Sequence, residues 1–272
     1  MNLDTLSFIA ALAGAGLSAG FVGGLFGVGG GVVIVPALFY LYGVLGIDDA
    51  VRMHAAIGAS LSTIIATSAR SLHAHAKRGA VDFTVLRSWA PWIALGAAIG
   101  AALAGAIDAR GLRIVFGGGL LIVAAQMGLV NPRWKLAENL PTGWGRAALA
   151  GGLGALSAMM GIGGGAFGVA IMTLCNRPIH TAVATASGFG AAIALPGMIG
   201  FMISGWGEPG LPWGSLGYVN MPAFAVMALL TTLTAPLGAR MAHALDQAAL
   251  KRAFAVFLAL TAAHMLYGAL FD

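Results

Sequence analysis

Long apolar segments alternate along the chain with short clusters of charged residues. The eight segments cover residues 5 to 45, 53 to 70, 83 to 107, 112 to 130, 145 to 175, 181 to 204, 219 to 239 and 251 to 270. A membrane-spanning helix needs about 20 predominantly apolar residues to cross a hydrocarbon core of about 30 Å. Most segments have about that length and two are longer, so the pattern predicts an all-α polytopic membrane protein.

Each of the two longer segments is interrupted by the same glycine-rich sequence, GxGGG. Its glycines are Gly27, Gly29, Gly30 and Gly31 in the first copy and Gly161, Gly163, Gly164 and Gly165 in the second. Glycine costs about 1 kcal/mol per residue in a helix interior relative to alanine, so each run predicts that a helix ends there. In a bilayer, such a break is tolerated only where the freed backbone groups are buried in protein or line a water-filled cavity.

The second four segments repeat the first four in the same order. Besides the glycine runs, the matching residues are His54 with His180, Ala56 with Ala182, Gly100 with Gly238, Asp108 with Asp246, Leu112 with Leu250 and Phe116 with Phe254. The preserved order predicts an internal duplication, with repeat one over 5 to 130 and repeat two over 145 to 270. Both repeats belong to one transmembrane domain, 1 to 272, because neither could close a site alone.

The basic residues indicate whether the broken segments cross the membrane. If they cross, the 14 lysines and arginines divide 7 against 7 between the two sides; if each enters and leaves on one side, the division becomes 11 against 3. Cytoplasmic loops carry an excess of lysine and arginine. The sequence therefore predicts two inverted repeats, each a glycine-broken re-entrant helical hairpin plus three transmembrane helices. Both termini are then outside the cytoplasm, and the longest cytoplasmic loop covers about 70 to 87. Residues 5 to 26 are long enough to cross fully, which leaves that alternative open in repeat one.

Composition supports the membrane class and excludes others. Hydrophobic residues make up 59% of the chain and charged residues 8%, with a mean hydropathy of +0.91, so the chain cannot cover a globule with polar surface. The net charge of +5 reflects basic residues beside membrane spans, not a nucleic-acid site. A single cysteine, Cys175, excludes an internal disulfide. We predict no cofactor, no cleavable signal peptide, and a location in the lipid bilayer of a bacterial-type inner membrane.

The glycine runs offer a binding site for a small anion. A break between two half-helices leaves backbone N–H groups unpaired, and at a helix N-terminus these groups attract anions. Paired breaks in corresponding positions of two halves are the best sequence indication of a transporter's substrate site. Close helix packing is the alternative, because small residues are typical of membrane helix interfaces. At a duplicated break we favour the anion site.

Short motifs follow the first glycine run, mark two helix starts and form a basic loop. They are Val35-Pro36-Ala37-Leu38, Ala56-Ile57-Gly58-Ala59-Ser60, Arg78-Gly79-Ala80-Val81 and Ala182-Val183-Ala184-Thr185-Ala186-Ser187. With the two GxGGG runs, this ordered combination resembles the sulfite exporter TauE/SafE family over essentially the whole chain. The resemblance implies a carrier of sulfur-containing anions such as sulfite, thiosulfate or organosulfonates, whereas composition and spacing alone imply only a small anion. Repeat two departs from repeat one in having Ala170 where repeat one has Pro36.

Hydroxyl side chains near the predicted helix starts could complete the site. Ser60, Thr63, Thr185 and Ser187 could donate hydrogen bonds to a sulfonate. The alternative for each is a hydrogen bond back to the carbonyl four residues earlier in the same helix.

Three histidines and one arginine are candidates for coupling or gating. His54 and His180 are repeat-equivalent, and their protonation would add charge for an anion or couple transport to a proton; we favour the alternative, in which both are histidines in loops at the membrane surface. His264 lies inside a predicted span, where polar residues are functional by default, with packing as the alternative. Arg52 lies on the predicted outer side, where it would guide anions to the mouth or contact lipid headgroups.

Other classes of membrane protein fit less well. His73 and His75 lack acidic or thiol partners, so we predict a solvated loop and no metal site. A metal or cation carrier would need acidic residues within the spans, whereas Asp82 and Glu138 fall in loops. A membrane-embedded enzyme would need a nucleophile–base pair or a ligand cluster, and we predict no catalytic residues. The sequence thus predicts a secondary transporter of a small sulfur-containing anion, working by alternating access, with another small anion as the alternative.

Overall fold

Helices form almost all of the computed structural model, which describes residues 3–26, 30–129, 135–244 and 247–271. The helices are α1 (Leu3–Phe26), α2 (Gly31–Val44), α3 (Asp49–Lys77), α4 (Phe83–Ala106), α5 (Ala109–Leu129), α6 (Gly143–Met160), α7 (Gly165–Leu174), α8 (Ile179–Ser204), α9 (Met221–Ala244) and α10 (Gln247–Phe271). Between α8 and α9, strands β1 (Ser215–Leu216) and β2 (Val219–Asn220) form a short antiparallel pair. The prediction of a helical protein is confirmed, and the small strand pair was not anticipated.

Five helices in the described ranges are long and apolar enough to cross a membrane. They are Phe83–Ala106, Ala109–Gly128, Ile179–Ser204, Met221–Gly238 and Arg252–Phe271. Each coincides with a predicted apolar segment, which confirms the expectation of a multi-pass membrane protein.

Helix α3 extends beyond its apolar segment at both ends. The predicted loop of about 70 to 87 is wrong, because α3 continues to Lys77 and α4 begins at Phe83. Alanine, arginine and lysine are good helix formers, so the helix continues through the polar end of α3. The helix stops where Gly79 adopts a left-handed φ of 65°.

Both long apolar segments divide into two helices. In the second, α6 ends at Met160 and α7 begins at Gly165. In the first, α1 ends at Phe26 and α2 begins at Gly31, and the predicted residues Gly27 and Gly29 lie outside the described residues.

Sequence-equivalent helices of the two halves pack antiparallel. Between α3 and α8, Gly197 lies against Leu61 and Gly190 against Ser68. Between α5 and α10, Gly117 lies against Leu266, while Gly128 lies against Ala255, eleven positions earlier. In each pair, residue numbers rise along one helix as they fall along the other.

At two further interfaces, the first helix of one half packs against a helix of the other half. Helix α1 packs against α9 and α6 packs against α4, and α1 and α4 are the sequence equivalents of α6 and α9. The two helices are parallel at both interfaces. Gly16 of α1 lies against Leu230 of α9, and Gly20 lies against Thr234. Gly96 of α4 lies against Gly151 of α6, and Gly100 lies against Ala155. These glycine contacts allow close backbone approach, as is usual between membrane helices.

The short helices α2 and α7 each run antiparallel to the long helix that follows. Gly31 lies against Ile64 and Gly43 against Arg52, so α2 runs opposite to α3. Gly164 lies against Ile193, and Gly168 lies against Phe189 and Ala186, so α7 runs opposite to α8. Gly188 of α8 lies against Leu86 and Gly200 against Ala101, so α8 runs parallel to α4, as α6 does. Because α7 runs opposite to α8, α6 and α7 also run in opposite directions.

Candidate functional site

The start of α2 and the second break meet against the middle of α3. A Cβ placed on Gly31 would overlap the carbonyl oxygen of Gly161 and lie 3.0 Å from Ile162 Cα. On the other side, Ser60 Oγ donates a hydrogen bond of 2.8 Å to the same Gly161 carbonyl. Gly31 is therefore next to the second glycine run, and only glycine fits at this position.

The second break ends one helix and starts another without continuous hydrogen bonding. The Gly161 N–H donates to Ala158 O at 3.1 Å and the Ile162 N–H to Ser157 O at 2.9 Å, which closes α6. Gly161 and Gly164 both have left-handed φ values, 65° and 62°, which reverse the chain between α6 and α7.

Helix α7 presents a group of free amides at this break. Its first backbone hydrogen bond joins the Gly168 N–H to Gly164 O at 2.7 Å. The N–H groups of the five residues from Gly163 to Phe167 donate to no acceptor in the part of the chain that the structure describes. Since Gly163 and Gly165 are partly exposed, this helix N-terminus has the geometry of an anion-binding site.

The four predicted hydroxyls fall into three different settings. Ser60 is fully buried and reaches the second break. Thr63 donates to Ala59 O at 3.0 Å and Ser187 to Ala184 O at 2.6 Å, within their own helices. Thr185 Oγ accepts a 2.9 Å hydrogen bond from the Asp82 N–H and so fixes the loop between α3 and α4.

Two other serines near the second break were missed in the sequence. Ser68 of α3 lies against Gly190 of α8. A Cβ placed on Gly190 would also lie 3.0 Å from the Gly163 carbonyl oxygen. Ser157 lies on α6, one turn before Gly161, and its buried hydroxyl has no hydrogen-bond partner among the described residues. Ser157 stands four residues before Gly161 in the sequence, and this position next to the glycine run could have indicated it.

The repeat-equivalent histidines have different surroundings. His54 is 3% exposed within α3, so its assignment to a surface loop is wrong. Its Nε2 lies 3.1 Å from both Ala104 O and Ile107 O, and its ring stacks on Tyr218 at 4.7 Å. Because carbonyl oxygens only accept hydrogen bonds, Nε2 carries a proton. His180, in contrast, is exposed at the start of α8.

Arg52 is engaged in an ion-pair cluster. Its Nη1 lies 3.1 Å from Asp49, and its Nε and Nη2 donate to Ile47 O. Arg113 of α5 pairs with the same carboxylate. The guanidinium groups of Arg52 and Arg113 lie 5.4 and 5.5 Å from the ring centroid of Phe39. The cluster thus connects α2, α3 and α5 and leaves a net positive charge.

His264 lies in an apolar groove between α2 and α10, away from the second break. The groove has a volume of about 450 Å³ and includes Pro36, Tyr40 and Leu260. The rings of His264 and Tyr40 are 5.5 Å apart. Within the described ranges, no three histidine, cysteine or acidic side chains come together as metal ligands would.

Comparisons with known proteins identify relatives over most of the chain. The family model for Sulfite exporter TauE/SafE matches residues 12–265. A probable membrane transporter protein of Haemophilus influenzae is 34% identical, covering 92% of this chain and 95% of the relative. A probable membrane transporter protein of Methanocaldococcus jannaschii is 28% identical over 82% of each chain. No solved structure matches significantly.

Proposed function

Because the chain belongs to the sulfite exporter TauE/SafE family, we propose that this membrane transporter carries a small sulfur-containing anion. Sulfite, thiosulfate and organosulfonates are the proposed substrates, moved across the inner membrane by alternating access. The main observation behind this proposal is the second break, where the free amides of α7 lie close to the Ser60 hydroxyl and to Gly31 at the start of α2. These groups are hydrogen-bond donors, and a small oxyanion is the ligand that donors at a helix N-terminus attract.

The proposed mechanism uses two inverted repeats that meet at the breaks. The antiparallel packing of the equivalent pairs α3/α8 and α5/α10 supports inversion, and the exchange of α1 and α6 between the halves supports a pseudo-two-fold relation. In such transporters the substrate lies at the repeat interface, and one repeat moves against the other to open each side in turn.

The opposite directions of α6 and α7 support a re-entrant hairpin. At 1.5 Å per residue, the 18 residues of α6 extend about 27 Å and the 10 residues of α7 about 15 Å. A hairpin that enters and leaves on one side gives the 11-to-3 division of basic residues, and we propose that the basic side is cytoplasmic.

A cysteine at position 177 should be labelled from the cytoplasm. Arg177 follows α7 directly, so its side of the membrane depends on whether the hairpin returns. The variant Arg177→Cys, made with Cys175→Ala, would be treated with a membrane-impermeant maleimide in intact cells and in inside-out vesicles. Arg110→Cys is the matched control and should show the opposite pattern. Labelling of position 177 only from outside would support the 7-to-7 topology instead.

The substrate class can be tested by thermal stability of the purified protein. We expect sulfite, thiosulfate, sulfoacetate or taurine to raise the melting temperature, because a ligand at 100 times its dissociation constant stabilises by about 2.7 kcal/mol. Sulfate and chloride serve as comparison anions. Stabilisation by metal ions or organic cations alone would contradict the proposal, and stabilisation by chloride alone would reassign the substrate to another small anion.

A further inference from the structure

Ser157 is a fully buried hydroxyl in α6 that has no hydrogen-bond partner in the described chain. We infer that Ser157 is an additional anion-binding residue, whose hydroxyl completes an oxyanion site at the second break. This inference rests on the proposed function, and it makes the second break the principal half of the site.

Ser204 Oγ at the end of α8 and Tyr42 Oη near the end of α2 are also buried without a partner in the described chain, but the other hydroxyls on helices show that this arrangement is uncommon. Most of them donate to a carbonyl three or four residues earlier, and this group includes Ser18, Ser62, Thr63, Thr67, Ser88, Thr173, Ser187, Thr231, Thr234 and Thr261. Ser157 lies inside a regular helix, where the same bond is within reach, but its hydroxyl does not make it. A buried hydroxyl without a partner destabilises the folded state, so its presence needs a reason.

Ser157 lies close to the second break. Ser157 and Leu153 are four residues apart and therefore share one face of α6. Leu153 Cδ2 lies 3.7 Å from the position of a Cβ on Gly164, at the start of α7. The Ser157 carbonyl also accepts the Ile162 N–H, so the residue is one turn from the free amides.

The groups around this break have a common chemistry. The free amides of α7 lie at the break, and Ser157 lies one turn before it on α6. Ser60 donates to Gly161 O and could turn to a ligand. All are neutral hydrogen-bond donors, which suits a small anion with several oxygen acceptors, because bonds to a charged acceptor are stronger than those between neutral groups.

The first break has no equivalent set. The residue of repeat one that corresponds to Ser157 is Gly23, and those of repeat two that correspond to Ser60 and Ser68 are Ala186 and Ala194. The glycine runs are thus repeated in sequence, but Gly30 has a φ of −59° where its equivalent Gly164 has a φ of 62°, and the hydroxyls lie at the second break. An anion would be held mainly by the hairpin of α6 and α7.

The test compares Ser157→Ala with a control that removes an equally buried hydroxyl elsewhere. Thr231→Val is that control, since Thr231 is 3% exposed and donates to Met227 O within α9. The dissociation constants of sulfite and thiosulfate would be measured by titration of the purified full-length variants. We expect Ser157→Ala to weaken binding about tenfold or more, as for the loss of a hydrogen bond to a charged group. Its melting temperature without ligand should be equal to or above that of the wild type, and Thr231→Val should bind like the wild type.

Two outcomes overturn the inference: wild-type affinity in Ser157→Ala, or equal losses in both variants. Failure of the proposed function looks different, because the wild-type protein would then bind neither sulfite nor thiosulfate. In that case nitrate, phosphate and chloride would be titrated. Weaker binding of one of these by Ser157→Ala would retain the site and change only the substrate, whereas binding of none would overturn both.

Discussion

Replacing Gly164 with leucine is expected to abolish transport while much of the protein stays folded. Gly164 has a φ of 62°, and a Cβ there would overlap Ile193 Cδ1. A side chain in the left-handed region costs about 1–2 kcal/mol, and the overlap adds to it. The strain would displace the first turn of α7 and its free amides. About 1.4 kcal/mol corresponds to a tenfold change in an equilibrium constant. The rate of transport should therefore fall tenfold or more. Uptake of radiolabelled thiosulfate or sulfite into proteoliposomes would measure this.

Two variants make this experiment interpretable. Gly152→Leu places the same side chain in the same hairpin where nothing lies within 4 Å, so transport should persist. Gly30→Leu tests the first break without backbone strain, because Gly30 has a φ of −59°. We expect it to abolish transport as well. Unchanged transport in both Gly164→Leu and Gly30→Leu would refute the proposed site.

Replacing Gly96 with leucine is expected to lower the free energy of unfolding more than any of the other glycine-to-leucine substitutions. A Cβ on Gly96 would overlap the backbone of Gly151 across the interface between α4 and α6. Overpacking usually costs about 1–3 kcal/mol, and the cost is higher here because a backbone, unlike a side chain, cannot rotate away. The two helices would have to separate along the row that also includes Gly100 and Gly154.

Thermal unfolding in detergent would measure the effect of Gly96→Leu. Gly118→Leu is the control, because nothing lies within 4 Å of that glycine on α5. We expect a clear drop in melting temperature for Gly96→Leu and little change for Gly118→Leu. Equal melting temperatures would show that the interface can absorb a side chain, which would contradict close packing of α4 on α6.

Features set by local sequence were predictable. The spans follow from the thickness of the bilayer, and the division of the second long segment between Met160 and Gly165 follows from the conformational cost of glycine. The matching order of helices in the two halves was expected from the repeated sequence pattern. These predictions needed no knowledge of which helices touch.

Features that depend on distant contacts were not predictable. Ser60 and Thr185 look alike in sequence, but one bonds to a carbonyl at the break and the other to the loop between α3 and α4. His54 was expected at the surface, yet the end of α4 and Tyr218 cover it. Such environments arise from packing between residues far apart in the chain, which apolar periodicity does not encode.

The packing of α1 against α9 has a consequence for how the protein is made. The first helix ends at Phe26 and its partner begins at Met221, so 195 positions separate them. At about 5–20 residues per second, a ribosome needs roughly 10–40 s to synthesise the chain between them. During this time the glycine-rich face of α1 has no native neighbour and must be shielded by lipid or by the insertion machinery. Because α1 packs against a helix of the other half, its native surroundings are complete only after α9 has been synthesised, late in translation.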